Sequence, residues 1–323
     1  MKHSTPASLS AALTAAAAFL TPSTAFLPPQ HHRTTILPVT QLSATPASAI
    51  STLSTSQATT ISTIASAIPD LAPKPALSLD GTTLIAGSPT TLDARDAPGP
   101  ANVAWLAGVT VADKMSSLTI FNGPLTDVPH LLSRAVVVDD GTSLTLDLDF
   151  RPRAYGAYEL KDAQGNYPGP ETFGRQAFEY SGNRKDFETK YGTEELISFL
   201  QATVASMEGA APSPRAPSEF DKLTDGPLVM SITMPLTDGN VAAVDRAMTG
   251  AANFWLRWAT EGGHEHRPGA PINSQYVYDT KYRQNAYSGL LGIYEGIFGA
   301  GDGAVLAAKE SGPLDEAYVG GGS

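Results

Sequence analysis

Residues 126–153 read TDVPHLLSRAVVVDDGTSLTLDLDFRPR. An Asp-Val-Pro turn leads into a short apolar strand. Asp139-Asp140-Gly141-Thr142 then supplies a hairpin signal, and Ser143 to Phe150 alternates between apolar and polar residues. With Asp140-Gly141 as a two-residue turn, position 139 opposes 142 and Arg134 opposes Asp147; a four-residue loop keeps the same parity. Side chains alternate between faces along a strand, and paired residues share a face. One face therefore carries Arg134, Val136, Val138, Ser143, Thr145, Asp147 and Asp149. The other carries Ala135, Val137, Leu144, Leu146, Leu148 and Phe150, and belongs to a core. The polar face has two readings. It either meets solvent, with an Arg134–Asp147 cross-strand pair worth about 0.2–1 kcal/mol, or it is covered by helices and lines a pocket. In a pocket, an arginine and two carboxylates would bind or protonate a ligand.

Outward from the hairpin, SLTIF (117–121) and PLVMSITMP (227–235) read as further strands. GTEELISFLQATVASMEG (192–209) reads as a helix with Thr193 as N-cap, Glu194 and Glu195 at the positive end of the dipole, and Leu196, Ile197, Leu200 and Val204 on one face. Two more helices follow: Asn240 to about Thr260, with Val241, Val244, Met248, Ala252 and Trp255 in register, and about Tyr276 to Phe298. The last twenty residues fade into GGGS. Strands first and helices later indicate an α+β fold, a mostly antiparallel sheet with helices packed on it. No glycine-rich loop opens a helix, so a Rossmann or P-loop reading has no support.

The first 69 residues contain no Asp or Glu, and the first acid is Asp70. Lys2 and His3 precede the apolar run LSAALTAAAAFL, too short for a membrane anchor, and Ser23-Thr24-Ala25 gives a cleavage context. Residues 1–25 read as a signal peptide and 26–69, rich in Ser, Thr and Ala, as a transit-peptide-like segment. This arrangement resembles the bipartite address of proteins sent to the chloroplast stroma in algae with secondary red-type plastids, with Phe26 first after the cut. Residues 70–100 read as a linker or N-terminal arm, 101–315 as the functional domain and 316–323 as a disordered tail.

From residue 70 onward the chain holds 32 acids and 19 bases, a formal charge of −13. Nucleic acid is therefore a poor partner, and the protein reads as soluble or at most peripheral to a thylakoid membrane. There is no cysteine, which removes thiolate metal sites, iron–sulfur clusters and thiol catalysis. His264 and His266 flank Glu265 in the Gly- and Pro-rich GGHEHRPG and read as a solvated loop rather than a metal site. Phe254, Trp255 and Trp258 read as core packing, compatible with an aromatic pocket wall.

The stretch from Asp127-Val128-Pro129-His130 to Asp149-Phe150-Arg151-Pro152-Arg153 resembles the core hairpin of red chlorophyll catabolite reductase and the ferredoxin-dependent bilin reductases. YDTKYRQ (278–284) and the run from Ile297 to Glu316 resemble the family's C-terminal part more weakly. The resemblance implies an α/β/α sandwich that holds a linear tetrapyrrole between the central sheet and the C-terminal helices. It implies an oxidoreductase of CH–CH groups with no bound cofactor, fed by reduced ferredoxin, in which acidic side chains donate protons. The pigment would be red chlorophyll catabolite or a bilin. The family's first acid falls on Arg134 and its histidine on Ser117, so the catalytic candidates become Asp279, Asp149, Asp147 and His130. Arg134 is suited to a pigment carboxylate; Lys281 and Arg283 would lie near the propionates, and Ser117 on the substrate side. Ferredoxins are acidic, and residues 151–190 are locally basic, so Arg151, Arg153, Arg175, Arg184 and Lys185 form the expected docking region. Two alternatives stand beside the reductase: a catalytically inactive tetrapyrrole carrier, and a structural subunit of a plastid photosystem complex.

Overall fold

The structure is a computed structural model that describes residues 43–85, 87–97, 102–138, 141–153, 187–214, 221, 224–261 and 272–312. Its elements in chain order are α1 (Pro46–Ala67), β1 (Ala72–Pro73), β2 (Thr82–Ile85), β3 (Ser88–Asp96), β4 (Val103–Val111), β5 (Met115–Asn122), β6 (His130–Val138), β7 (Ser143–Arg151), α2 (Glu194–Ala205), β8 (Ala211–Pro212), β9 (Met230–Pro235), α3 (Asp238–Thr260), α4 (Ile272–Phe298) and α5 (Ala300–Ser311). The strands form one antiparallel sheet in the order β1-β3-β4-β5-β6-β7-β9-β8, with β2 beside β3. Helices cover both faces. The fold is α+β, an α/β/α sandwich.

The opening hairpin sits at the centre of this sheet. Arg134 opposes Asp147 and Val136 opposes Thr145, and pairing ends at Val138 and Ser143, which is the four-residue-loop version of the expected register. Ala135, Leu144, Leu146, Leu148 and Phe150 are buried against α1, α2 and α3. That layer closes around Trp255, whose indole N–H donates to the Pro129 carbonyl at 3.1 Å. The other face packs under α4 and α5, where Trp105, Phe121, Val136, Tyr282, Leu290, Tyr294 and Leu306 form a second core. Arg134 is only 5% exposed. The solvent-facing reading of the polar face therefore falls, because two helices roof it.

The segment read as transit-peptide-like and the segment read as a linker or N-terminal arm both supply elements of the fold. The transit-peptide-like segment becomes, from Pro46, a helix capped by Thr45, whose hydroxyl accepts from the Ser48 N–H while Ser48 returns a bond to the Thr45 backbone. Its Ile50, Leu53, Ile61 and Ile64 are buried. The helix lies so close to the sheet that a Cβ on Gly108 would stand 2.3 Å from Ile61 Cδ1. The 70–100 segment supplies β1, β2 and β3. At the other end, residues 300–311 form α5, whose last eight residues fall within the twenty expected to fade. The expected signal region 1–25 and tail 316–323 lie outside the described residues. Among the described residues no helix is long and apolar enough to cross a membrane.

Candidate functional site

A cavity of about 310 Å³ lies between the polar face of the hairpin and α4. Its sheet wall carries Arg134, Asp147, Asp149 and Arg151; Asp221 and Asp225 come from the segment before β9, and Ala286, Leu290 and Ile293 from α4. The strand alternation that buries the leucines of β7 on one side points Asp147 and Asp149 to the other, so both carboxylates face this space.

Asp149 is held by two donors. Arg151 Nε donates to its Oδ2 at 3.1 Å, and the Gly226 N–H lies 3.1 and 3.2 Å from its two oxygens. A glycine is required at 226, since a Cβ there would sit 2.3 Å from the Phe150 carbonyl oxygen and 2.6 Å from Asp149 Oδ1. Arg151 donates onward to Thr224 at 3.1 Å, Asp221 at 2.7 Å and Asp225 at 2.9 Å. Burial pushes the Asp149 carboxyl up to about 6, outweighing the Arg151 charge and the Gly226 N–H that favour its ionised form; Asp221 adds to the rise. Asp147 accepts a bond from the Ser231 hydroxyl at 2.6 Å.

Arg134 is anchored from behind the cavity. Its Nε donates to the Tyr294 hydroxyl at 3.2 Å and its Nη2 to Glu310 Oε1 at 3.3 Å. Glu310 is fully buried and also accepts from Thr119 at 2.6 Å, Ser117 at 3.1 Å and Tyr294. Burial works against the Arg134 charge, but Tyr294, Glu310 and Asp147 outweigh it, so the guanidinium stays protonated. Burial likewise raises the Tyr294 phenol, against the pull of Arg134.

The remaining candidates lie elsewhere. His130 is buried beside the cavity with its ring 4.5 Å from Tyr282 and 5.6 Å from Phe121. Burial, then the charges of Arg153, Arg151 and Arg283, hold it well below the ordinary histidine value. Its Nδ1 accepts from the Asn122 N–H at 2.9 Å, which assigns the proton of the neutral ring to Nε2. Asp279 accepts from Arg153 Nη2 at 2.6 Å and is absent from the cavity wall. Ser117, expected on the substrate side, is turned onto Glu310 instead. Lys281 is exposed, and Arg283 is buried without lining the cavity.

Two docking residues are also corrected. Arg151 and Arg153 are 7% and 2% exposed. Arg151 ends β7 and Arg153 follows it; both turn inward, to carboxylates and, for Arg153, to the carbonyls of Gly123 and Thr126, so neither offers surface charge. Arg175, Arg184 and Lys185 lie outside the described residues, as do His264 and His266.

The sequence reading missed Asp221, Asp225, Gly226, Tyr294 and Glu310. Tyr294 continues the four-residue stripe of Tyr282, Ala286 and Leu290 on α4, a visible signal. Glu310 follows Leu306 and Ala307 on the buried side of α5, an acid on an apolar face.

No family model matches the chain, and no curated protein matches it. Among solved structures it is similar to phytochromobilin synthase from tomato, solved in complex with biliverdin, at 14% identity, covering 79% of this chain and 80% of that one, with a TM-score of 0.48.

Proposed function

We propose that the chain binds a linear tetrapyrrole in the cavity between the hairpin and α4 and reduces it, with Asp149 as the proton donor and reduced ferredoxin as the electron source. The observation that carries this is Asp149: a buried carboxyl on the cavity wall that keeps its proton to about pH 6. A general acid works best when its pKa lies near the working pH. The hairpin resemblance supplies the pigment class and the ferredoxin. Reduction of one carbon–carbon double bond takes up two electrons and two protons. Asp149 delivers one proton, and solvent entering past the exposed Val229 supplies the other and reloads it. Arg134 cannot donate a proton in this chemistry; it orients the ligand. Asp279 and His130 stand outside the wall and support it. On this reading the protein works in a plastid stroma with no bound cofactor.

The position of Arg134 favours a second reading, a carrier that holds the pigment without reducing it, because a locked guanidinium stands where the family has an acid.

The test adds biliverdin or red chlorophyll catabolite to the purified protein, records the absorption spectrum, then supplies reduced ferredoxin. A shifted pigment band that bleaches on reduction in the wild type, and persists in Asp149→Asn, is the expected result. A bound band unchanged by ferredoxin establishes the carrier. No binding rejects both and leaves the structural-subunit role.

A further inference from the structure

Arg134 stands between two carboxylates. Its register partner across the hairpin is Asp147, on the same face of the sheet and the same cavity wall. Behind the wall is Glu310 of α5, fully buried. Cross-strand neighbours of opposite charge attract, yet the guanidinium turns the other way. Nη2 donates to Glu310 Oε1 at 3.3 Å, and Nε donates to the Tyr294 hydroxyl at 3.2 Å. The guanidinium carbon also stands 5.1 Å from the Tyr294 ring centroid, a cation–π contact. Glu310 is itself fixed: Thr119 donates to Oε1 at 2.6 Å, Ser117 to Oε2 at 3.1 Å, and Tyr294 to Oε2. Asp147 accepts from the Ser231 hydroxyl.

This arrangement leaves Nη1. Among the described residues it makes no hydrogen bond, and protein atoms do not seal it off. Because Arg134 lines the cavity, Nη1 is the donor it presents to a ligand. A donor locked in place before the ligand arrives loses little freedom on binding, which is how preorganisation raises affinity. Without Glu310, the carboxylate left beside Arg134 is Asp147, and a pair between those two would occupy the donor inside the cavity.

We propose that Glu310 is a positioning residue for pigment binding: with Tyr294 it holds Arg134 away from Asp147, so that Nη1 donates to an oxygen of the bound tetrapyrrole. This rests on the tetrapyrrole reading of the same cavity. It gives a part in binding to a residue of α5 that itself touches no ligand. A linear tetrapyrrole offers two kinds of oxygen, the terminal ring carbonyls and the propionate carboxylates, and a guanidinium nitrogen can donate to either.

The experiment titrates the full chain with biliverdin, following pigment absorption, in wild type, Arg134→Met, Glu310→Gln and the double variant. Glutamine keeps the side chain's size and an acceptor oxygen. In Arg134→Met, Thr119, Ser117 and Tyr294 still donate to Glu310. Arg134→Met is expected to weaken binding about tenfold, the size of one lost hydrogen bond to a charged group. Glu310→Gln should weaken it at least about threefold and move the bound pigment's absorption maximum to that of Arg134→Met. The double variant should bind as Arg134→Met does, since a residue acting only through Arg134 then has nothing to position. Losses that multiply in the double variant, or wild-type affinity in either single variant, overturn the proposal and leave the tetrapyrrole reading in place. A wild type that binds no pigment overturns both. Tyr294→Phe keeps the ring and removes only the hydroxyl; it supplies a second cycle with Arg134→Met if Glu310→Gln does not fold, with the same expected and overturning results. Repeating the Arg134→Met comparison with biliverdin dimethyl ester names the acceptor, and both outcomes support the proposal: a loss that persists points to a ring carbonyl, and one that vanishes points to a propionate.

Discussion

Leu53→Ala and Ile61→Ala test whether α1 belongs to the folded domain. Both side chains are 1% exposed and pack in the core beneath the sheet. Truncating one such side chain costs about 2–5 kcal/mol, the lost transfer energy plus the cavity left behind. The two positions are eight residues apart, so about 12 Å separates them along the helix, far enough for the effects to add. The double substitution should then cost about 4–10 kcal/mol, against a total stability of about 5–15 kcal/mol for a domain. Thr59→Ala, on the exposed side of the same helix, should stay within about 0.5 kcal/mol. Urea unfolding followed by tryptophan emission provides the assay. At about 2 kcal/mol per molar urea, each single core variant should lower the midpoint by at least about 1 M, and the double variant should be largely unfolded without urea. Midpoints for Leu53→Ala and Ile61→Ala that match Thr59→Ala would refute the reasoning and return residues 46–67 to a dispensable leader.

Glu310→Ala should destabilise the fold by about 3–5 kcal/mol in thermal unfolding, because it strands a buried guanidinium; the pair Arg134→Met with Glu310→Leu should recover most of that loss. Gly226→Ala should cost about 1–3 kcal/mol by overpacking against Phe150 and Asp149 and should also slow pigment reduction, measured by bleaching rate. The folded Asp149 carboxyl holds its proton to about pH 6, whereas an unfolded aspartate loses it near about 3.9. Folding therefore takes up a proton between those values, and this contribution to stability declines as pH rises through that window. Wild type should lose about 1 kcal/mol relative to Asp149→Asn between pH 5 and pH 8 in urea melts. Over the same range, reduction should slow above pH 6 as the donor ionises, so a flat pH–rate profile would remove Asp149 from the chemistry.

The hairpin was legible because its alternation admits one register: a slip of one residue would turn Asp147 and Asp149 into the apolar core and Leu146 and Leu148 toward the polar face. That arithmetic also placed Arg134, Asp147 and Asp149 on the face that lines the cavity. The helix α1 was concealed by composition. Its spacing of Ile50, Leu53, Gln57, Ile61, Ile64 and Ile68 is helical, but Ser, Thr and Ala with no acid are equally the composition of a targeting segment. Arg151 and Arg153 were misread because a local excess of basic residues says nothing of which way a strand turns its side chains. Glu310 lies out of reach for a different reason. Its partners Ser117, Thr119 and Arg134 are 176 to 193 residues away in the chain, and only the folded sheet brings them together.

The buried group of Arg134, Tyr294 and Glu310 also constrains how this chain can change. An acid at position 134 would set a second carboxylate against Glu310 in a space closed to water, where two such charges cannot both ionise. An apolar residue there would leave Glu310 buried without its cation. Either step is tolerable only after Glu310 has been replaced, and replacing Glu310 first strands Arg134. The two positions sit on adjacent layers of the sandwich, one on β6 and one on α5, yet can be exchanged only together. While this pair stands, no single substitution can place an acid at position 134 of β6.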